Sequence, residues 1–231
     1  MLSLRREQAV YLRLIRASQS DRSANAREMA RVPRVVTVGS ISTGKTSLVS
    51  RYLNDDFQPA TATVGYLSTL VRIRPEPKDP LLPEVQFELI DTAGSERYGA
   101  LAPSYLRGAV VVMLVYDIND TMSFDAVQHR WRKEVRVYAP DAHVILVGTK
   151  LDRAPSGRQV ITERAANFAA NSGYTFFETS AKTGQNVQPL FNAIVNIVSR
   201  AGRHFELSDS VALERARKPV EAPPDKKCWC S

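Results

Sequence analysis

Gly39-Ser40-Ile41-Ser42-Thr43-Gly44-Lys45-Thr46 is the stretch on which the reading of this chain turns. It follows the apolar run Val35–Val38 and precedes Lys45–Leu53, a helical pattern. The pattern G-x-x-x-x-G-K-[ST] between a strand and a helix lets backbone N–H groups and a helix N-terminus surround phosphate oxygens. Lys45 then supplies a point charge to the outer phosphates, and the Thr46 hydroxyl is available to Mg²⁺. The motif predicts a bound nucleotide phosphate and leaves the base open.

Outward from this loop, apolar runs alternate with helical patterns. Leu67–Ile73 and Val85–Ile90 read as strands joined by the Pro-rich link Pro75–Pro80, which excludes helix and suits a hairpin loop. Val110–Tyr116 is continuously apolar, as expected of a strand covered on both faces. Phe124–Tyr138 reads as helix and Val144–Val147 as a buried strand. Thr162–Ser172 reads as a helix with Thr162 as N-cap and Gly173 as its stop. Thr175–Phe177 is a short strand, and Val187–Arg200 a closing amphipathic helix. The alternation predicts an α/β fold with a mostly parallel, six-stranded sheet and helices on both faces. Ligands of such sheets sit at the carboxyl ends of the strands.

The organisation along the chain has three parts: a basic extension at 1–33, one domain at 34–201, and a tail at 202–231 with Pro219, Pro223 and Pro224. Both extensions read as flexible. Of the net charge of +7, a balance of +5 falls in residues 1–34, with eight Arg against three acids. The charge is therefore a tail property, and no basic patch interleaved with aromatics points to nucleic acid. The two cysteines, Cys228 and Cys230, lie at the C-terminus and cannot frame a fold. His129, His143 and His204 are scattered and lack metal-ligand spacing. No apolar run approaches the ~20 residues needed to span a bilayer.

Three further motifs fall at strand ends, in order. They are Asp91-Thr92-Ala93-Gly94, Thr149-Lys150-Leu151-Asp152 and Thr179-Ser180-Ala181-Lys182. With the phosphate loop they resemble the motif set of Ras-superfamily GTPases over residues 34–201. Tyr98, Leu101–Gly108, Tyr116-Asp117-Ile118, Glu178–Thr183 and the paired terminal cysteines are similar to the Rab family, the second switch resembling that of endosomal Rabs. The resemblance implies a single P-loop GTPase domain that binds GTP or GDP with Mg²⁺. It implies nucleotide contacts from Ser42, Thr43, Gly44, Lys45, Thr46, Ser47, Phe57, Thr63, Gly94, Thr149, Lys150, Asp152, Ser180, Ala181 and Lys182. Mg²⁺ would be held through Thr46, Thr63 and Asp91. Asp152 would accept from the guanine N1–H and exocyclic amine, a donor pair adenine lacks. Lys150 would lie along the base plane, Phe57 would stack at the base edge, and the Ala181 N–H would face the guanine carbonyl oxygen.

This sequence departs from the family pattern at named positions. Ser95 stands where the family has the Gln that orients the attacking water. Ile41 stands at a phosphate-loop position the family usually fills with a small residue. Both departures imply slow hydrolysis and a weak response to an arginine finger. An activator bringing its own Gln would offset the first. Thr149 replaces the usual Asn. The link from Phe57 to Thr63 is one residue short of the Rab pattern, which keeps Thr61 as the second candidate. Of the Rab aromatic triad only Tyr105 remains, with Ser68 and Ile90 at the other two positions.

The resemblance also implies partners: effectors through switches near Thr63 and Gly94–Arg107, an exchange factor, and a GTPase-activating protein. The expected role is recruitment at the cytoplasmic face of endomembranes, endosomal or Golgi, in vesicle trafficking, by a monomer. Cys228-Trp229-Cys230-Ser231 fits both a C-a-a-X box and a doubly prenylated Rab end. The tail's six basic and five acidic residues supply no polybasic second signal, which favours two lipids. The head can be read as a disordered extension, an amphipathic membrane contact through Leu4, Tyr11, Leu12 and Ile15, or a presequence. Two other readings remain: a constitutively GTP-bound scaffold with negligible catalysis, and, more weakly, a P-loop phosphotransferase.

Overall fold

The structure is a computed structural model that describes residues 32–57, 65–73, 84–93 and 102–201. Six strands form one sheet in the order β2-β3-β1-β4-β5-β6: β1 Arg34–Val38, β2 Tyr66–Ile73, β3 Val85–Thr92, β4 Ala109–Asp117, β5 His143–Thr149 and β6 Thr175–Glu178. Every neighbouring pair is parallel except β2 with β3, which is antiparallel. The expected α/β class, strand number and mostly parallel sheet are all present.

Strand alternation sorts the apolar residues into two cores. Val35, Val111, Met113, Val115, Ile145 and Val147 face one way. There they meet Leu48 and Val49 of α1 (Lys45–Asn54) and Leu190, Phe191 and Ile194 of a helix over 187–201. Val36, Val38, Val112, Leu114 and Leu146 face the other way. They meet Leu106 of α2 (Ala102–Leu106), Phe124 and Trp131 of the next helix along the chain, and Ala165 and Ala169 of the helix Thr162–Ser172. The middle strands are apolar at nearly every position because both faces are covered.

The third helix, α3, is built of Thr121–Ala126, a π-helical turn Val127–Trp131 and Arg132–Tyr138. It begins before the predicted Phe124, because Asp120 caps it by accepting from the Met122 N–H at 2.9 Å. A one-turn helix, α4 (Ala154–Gly157), precedes α5 (Thr162–Ser172). Thr162 is not the N-cap of α5 as predicted; that position is Ile161, with no side-chain bond. The Thr162 hydroxyl instead donates to the Glu178 carboxylate at 3.3 Å. Gly173 does end α5, in the left-handed conformation. The Pro-rich link, the head and the tail lie outside the described residues.

Candidate functional site

β1 runs straight into the phosphate loop. Gly39 is required there by space: a Cβ would collide with the Val115 carbonyl oxygen of neighbouring β4. Ser42 and Gly44 both have positive φ, 60° and 87°, which coils the loop around the start of α1. Thr43 Oγ1 donates to the Ser40 carbonyl at 2.9 Å and tightens the coil. Ile41 is outside the core, 58% exposed at the rim of the loop.

Lys45, the first residue of α1, is buried inside this coil. Its ammonium donates to the carbonyls of Ser40 at 2.7 Å and Gly39 at 3.0 Å. Burial lowers its pKa to about 8, with Asp91 opposing the shift. Thr46 Oγ1 donates to Asp91 Oδ2 at 2.6 Å, and Thr37 Oγ1 to Asp91 Oδ1 at 3.2 Å. Burial raises the Asp91 pKa against the pull of Thr46, Lys45 and Thr37. A buried cation, a helix N-terminus and a hydroxyl–carboxylate oxygen pair thus meet at the carboxyl ends of β1 and β3. That donor set fits a polyphosphate and a hard, oxygen-seeking divalent cation.

The second half of the site is built at the ends of β4, β5 and β6. Thr149 ends β5, and its hydroxyl reaches the carbonyls of Thr43 and of Tyr116, the latter at 2.9 Å. The end of β5 thereby braces the phosphate loop, and Thr149, where the family pattern has Asn, supplies a donor at this junction. Lys150 adopts positive φ of 62° and extends its ammonium to the Ser42 carbonyl at 2.8 Å and to Asp117 Oδ2 at 2.7 Å. Asp117 is held in turn by the Asn119 N–H at 2.9 Å. Asp152 accepts from Ser180 Oγ at 2.6 Å. The Leu151 N–H donates to the Thr179 carbonyl at 3.0 Å, tying the two motif loops together. Behind them Arg158 makes a two-pronged pair with Glu178, at 2.7 and 2.8 Å, and fixes the end of β6.

Geometry and motifs agree with a comparison across families: the sequence model of the Ras family matches residues 34–200. The chain belongs to the Ras family of small GTPases. Within it the chain is a Rab. It is 34% identical over 204 residues to human Ras-related protein Rab-3A, covering 85% of this chain and 90% of the relative. It is 33% identical over 213 residues to Ras-related protein Rab5A of Oryza sativa subsp. japonica, covering 90% and 100%. It is 39% identical over 165 residues to GTP-binding protein ypt5 of Schizosaccharomyces pombe, covering 70% and 75%.

In this Rab, Ser42, Thr43, Gly44, Lys45, Thr46, Ser47 and Asp91 cluster at one end of the site. Thr149, Lys150, Asp152, Ser180, Ala181 and Lys182 gather at the other. Phe57 lies just beyond α1 and is 37% exposed. Thr63, Thr61, Gly94, Ser95, Tyr98, Cys228 and Cys230 lie outside the described residues. Ser68 and Ile90 sit opposite each other across β2 and β3. Ile90 and Tyr105 are buried, while Tyr66 is exposed with its ring 6.2 Å from that of Tyr105. The sequence reading gave no role to Asp117 or Arg51. Asp117, at a strand end like the other motif residues, carried a usable signal.

Proposed function

We propose that this Rab is a guanine-nucleotide switch that recruits effectors to endomembranes in vesicle traffic. Its working unit is the domain at 34–201, followed by a lipid-bearing tail. The observation that carries this reading is the meeting of four separate motifs at the carboxyl ends of β1, β3, β5 and β6. Lys45 and the α1 N-terminus would bind the β- and γ-phosphates. Thr46, Asp91 and Thr63 would hold Mg²⁺. Asp152 would read the guanine donors, with the Ala181 N–H facing the guanine carbonyl oxygen. When bound there, Mg²⁺ would neutralise charge on the outer phosphates. Thr63 and Gly94 would contact the γ-phosphate, so its loss would release both switch segments.

Calorimetry with Mg²⁺ and GDP, GTP or ATP tests this reading. Tight binding of both guanine nucleotides and none of ATP is expected; equal affinity for ATP would sink it. Membrane attachment would come from prenylation of Cys228 and Cys230, since no helix among the described residues is long and apolar enough to cross a bilayer. Intact-mass analysis of the native protein counts the lipids.

Hydrolysis would be slow. The Ser95 side chain would be too short to take the place of Gln on the attacking water, and Ile41, exposed at the rim of the loop, would crowd the approach of a finger. A second reading, a scaffold holding GTP nearly permanently, rests on the same two residues. Single-turnover hydrolysis separates the two: brisk turnover removes the scaffold, and none over hours favours it. Effectors would approach the switches near Thr63 and Gly94–Arg107, on a surface where Ser68 is exposed and Ile90 is buried.

A further inference from the structure

Arg51 occupies the last turn of α1, and its side chain is only 16% exposed. Its guanidinium forks onto two consecutive carbonyls of a distant loop. Nε donates to the Ala181 carbonyl and Nη2 to the Lys182 carbonyl, the latter at 2.7 Å. Nη1 donates to the Asp55 carbonyl at 2.9 Å, so the same group also closes its own helix. A planar fork with several donors is the side chain suited to this task, and a lysine cannot reproduce it.

The consequence for the loop follows from peptide geometry. In a planar trans peptide the C=O and the following N–H point in opposite directions. The Ser180 carbonyl is taken by the Gly184 N–H at 2.9 Å, which fixes the peptide that carries the Ala181 N–H. The Ala181 carbonyl is taken by Arg51, which fixes the next peptide and its Lys182 N–H. The Ala181 N–H thus lies on the peptide that Gly184 fixes, and Arg51 fixes the next peptide, across the Ala181 Cα. Asp152 is held by Ser180 Oγ of the same loop, a side-chain contact in which Arg51 takes no part. Arg51 thus bears on the Ala181 side of this loop and not on the Ser180–Asp152 contact.

We propose that Arg51 is a positioning residue that sets the Ala181 N–H against the acceptor at the purine 6-position. Through the rigid α1, which begins at Lys45, it links the phosphate-binding end of the site to its base-reading end. This inference rests on the guanine reading proposed above. Arg51 touches no nucleotide in this scheme; it acts through the loop.

The test compares GDP with two analogues on the full chain with Mg²⁺. In 6-thio-GDP the oxygen at position 6 is replaced by a weaker, larger sulfur acceptor, which probes the Ala181 N–H. In IDP the exocyclic amine is missing, which probes Asp152. The wild type is expected to prefer GDP over each analogue by about tenfold or more, the scale of a lost hydrogen bond to a positioned group. In Arg51→Gln, GDP affinity falls by about tenfold or more. The 6-thio preference collapses toward one, and the IDP preference is kept. Arg51→Lys, which keeps the charge and loses the fork, narrows the 6-thio preference alone, and it decides the matter if Arg51→Gln does not fold. Equal weakening of all three nucleotides, with both preferences intact, would overturn the proposal, because Arg51 would then only support the fold. Collapse of both preferences together would overturn it too, by showing general loosening. A wild type that binds ADP as well as GDP would mark failure of the guanine reading itself.

Discussion

Lys45 shows how one buried group couples folding and ligand binding to pH. Its pKa near 8 lies below the ordinary 10.5 because burial disfavours the ammonium. Between about pH 8 and 10.5 the unfolded chain binds more protons at this residue than the folded one. Its contribution to the stability of the nucleotide-free protein therefore rises with pH across that window. Nucleotide binding runs the other way, since phosphate anions favour the ammonium. Above about pH 8 binding draws a proton onto Lys45, and affinity should fall as pH rises. Calorimetry at about pH 9 in buffers of different ionisation enthalpy should reveal proton uptake that is absent at about pH 7.

Thr149 offers a second test at a single residue. Its one hydroxyl proton serves two carbonyls, of Thr43 and Tyr116. Thr149→Val keeps the shape and leaves those buried carbonyls without this donor. A loss of about 1–3 kcal/mol in unfolding free energy is expected in urea titrations, with faster GDP release. Unchanged release would show that the phosphate loop needs no brace from β5.

Helix α3 depends on the turn after β4. Asp120 caps it, while Ser123 Oγ donates back to the Asp120 carbonyl at 2.7 Å and accepts from the Asp117 N–H at 3.0 Å. The same turn thus starts a helix and fixes the partner of Lys150. Asp120→Ala should cost about 1 kcal/mol of stability, the usual loss on removing a cap. Chemical denaturation gives that number, and a parallel rise in the GDP release rate would show that the turn also serves the site. The sequence showed the helix clearly but not its first residue. Asp120-Thr121 before an apolar periodicity is a capping signal, yet Phe124 is the first strongly apolar position. Thr162 was misleading for the opposite reason. It has the chemistry of a cap, but Glu178, brought close by β6, offers its hydroxyl a charged acceptor.

Across the whole molecule, the sheet separates two cores that must both form before the site exists. The closing helix over 187–201 joins α1 on one face, where the rings of Phe191 and Tyr52 stack with centroids 3.6 Å apart. Phe191 is fully buried. Phe191→Ala should cost about 3–5 kcal/mol by removing that packing and leaving a cavity beneath α1. Urea unfolding checks it. Because α1 begins at Lys45, Mg²⁺-GDP should restore part of the lost thermal stability by mass action.

Local order was legible because it rests on local causes. Runs such as Val110–Tyr116 are apolar throughout because both faces of the strand are covered, and a phosphate loop must be contiguous because consecutive N–H groups form it. The strands, the six-membered sheet and the motif set could therefore be read from the chain. The pairing of distant groups could not. Arg51 meets Ala181 across 130 positions of sequence, and Lys150 meets Ser42 across 108. Nothing in the spacing of either residue names its partner. The sequence by itself determined the six strands, the longer helices between them, their order and which phosphate-binding chemistry they carry, whereas the short helices α2 and α4 were not read from it. Only the tertiary structure decided how the phosphate and base ends are tied together, because those ties are made by side chains reaching carbonyls that the sheet order, not the chain order, brings near.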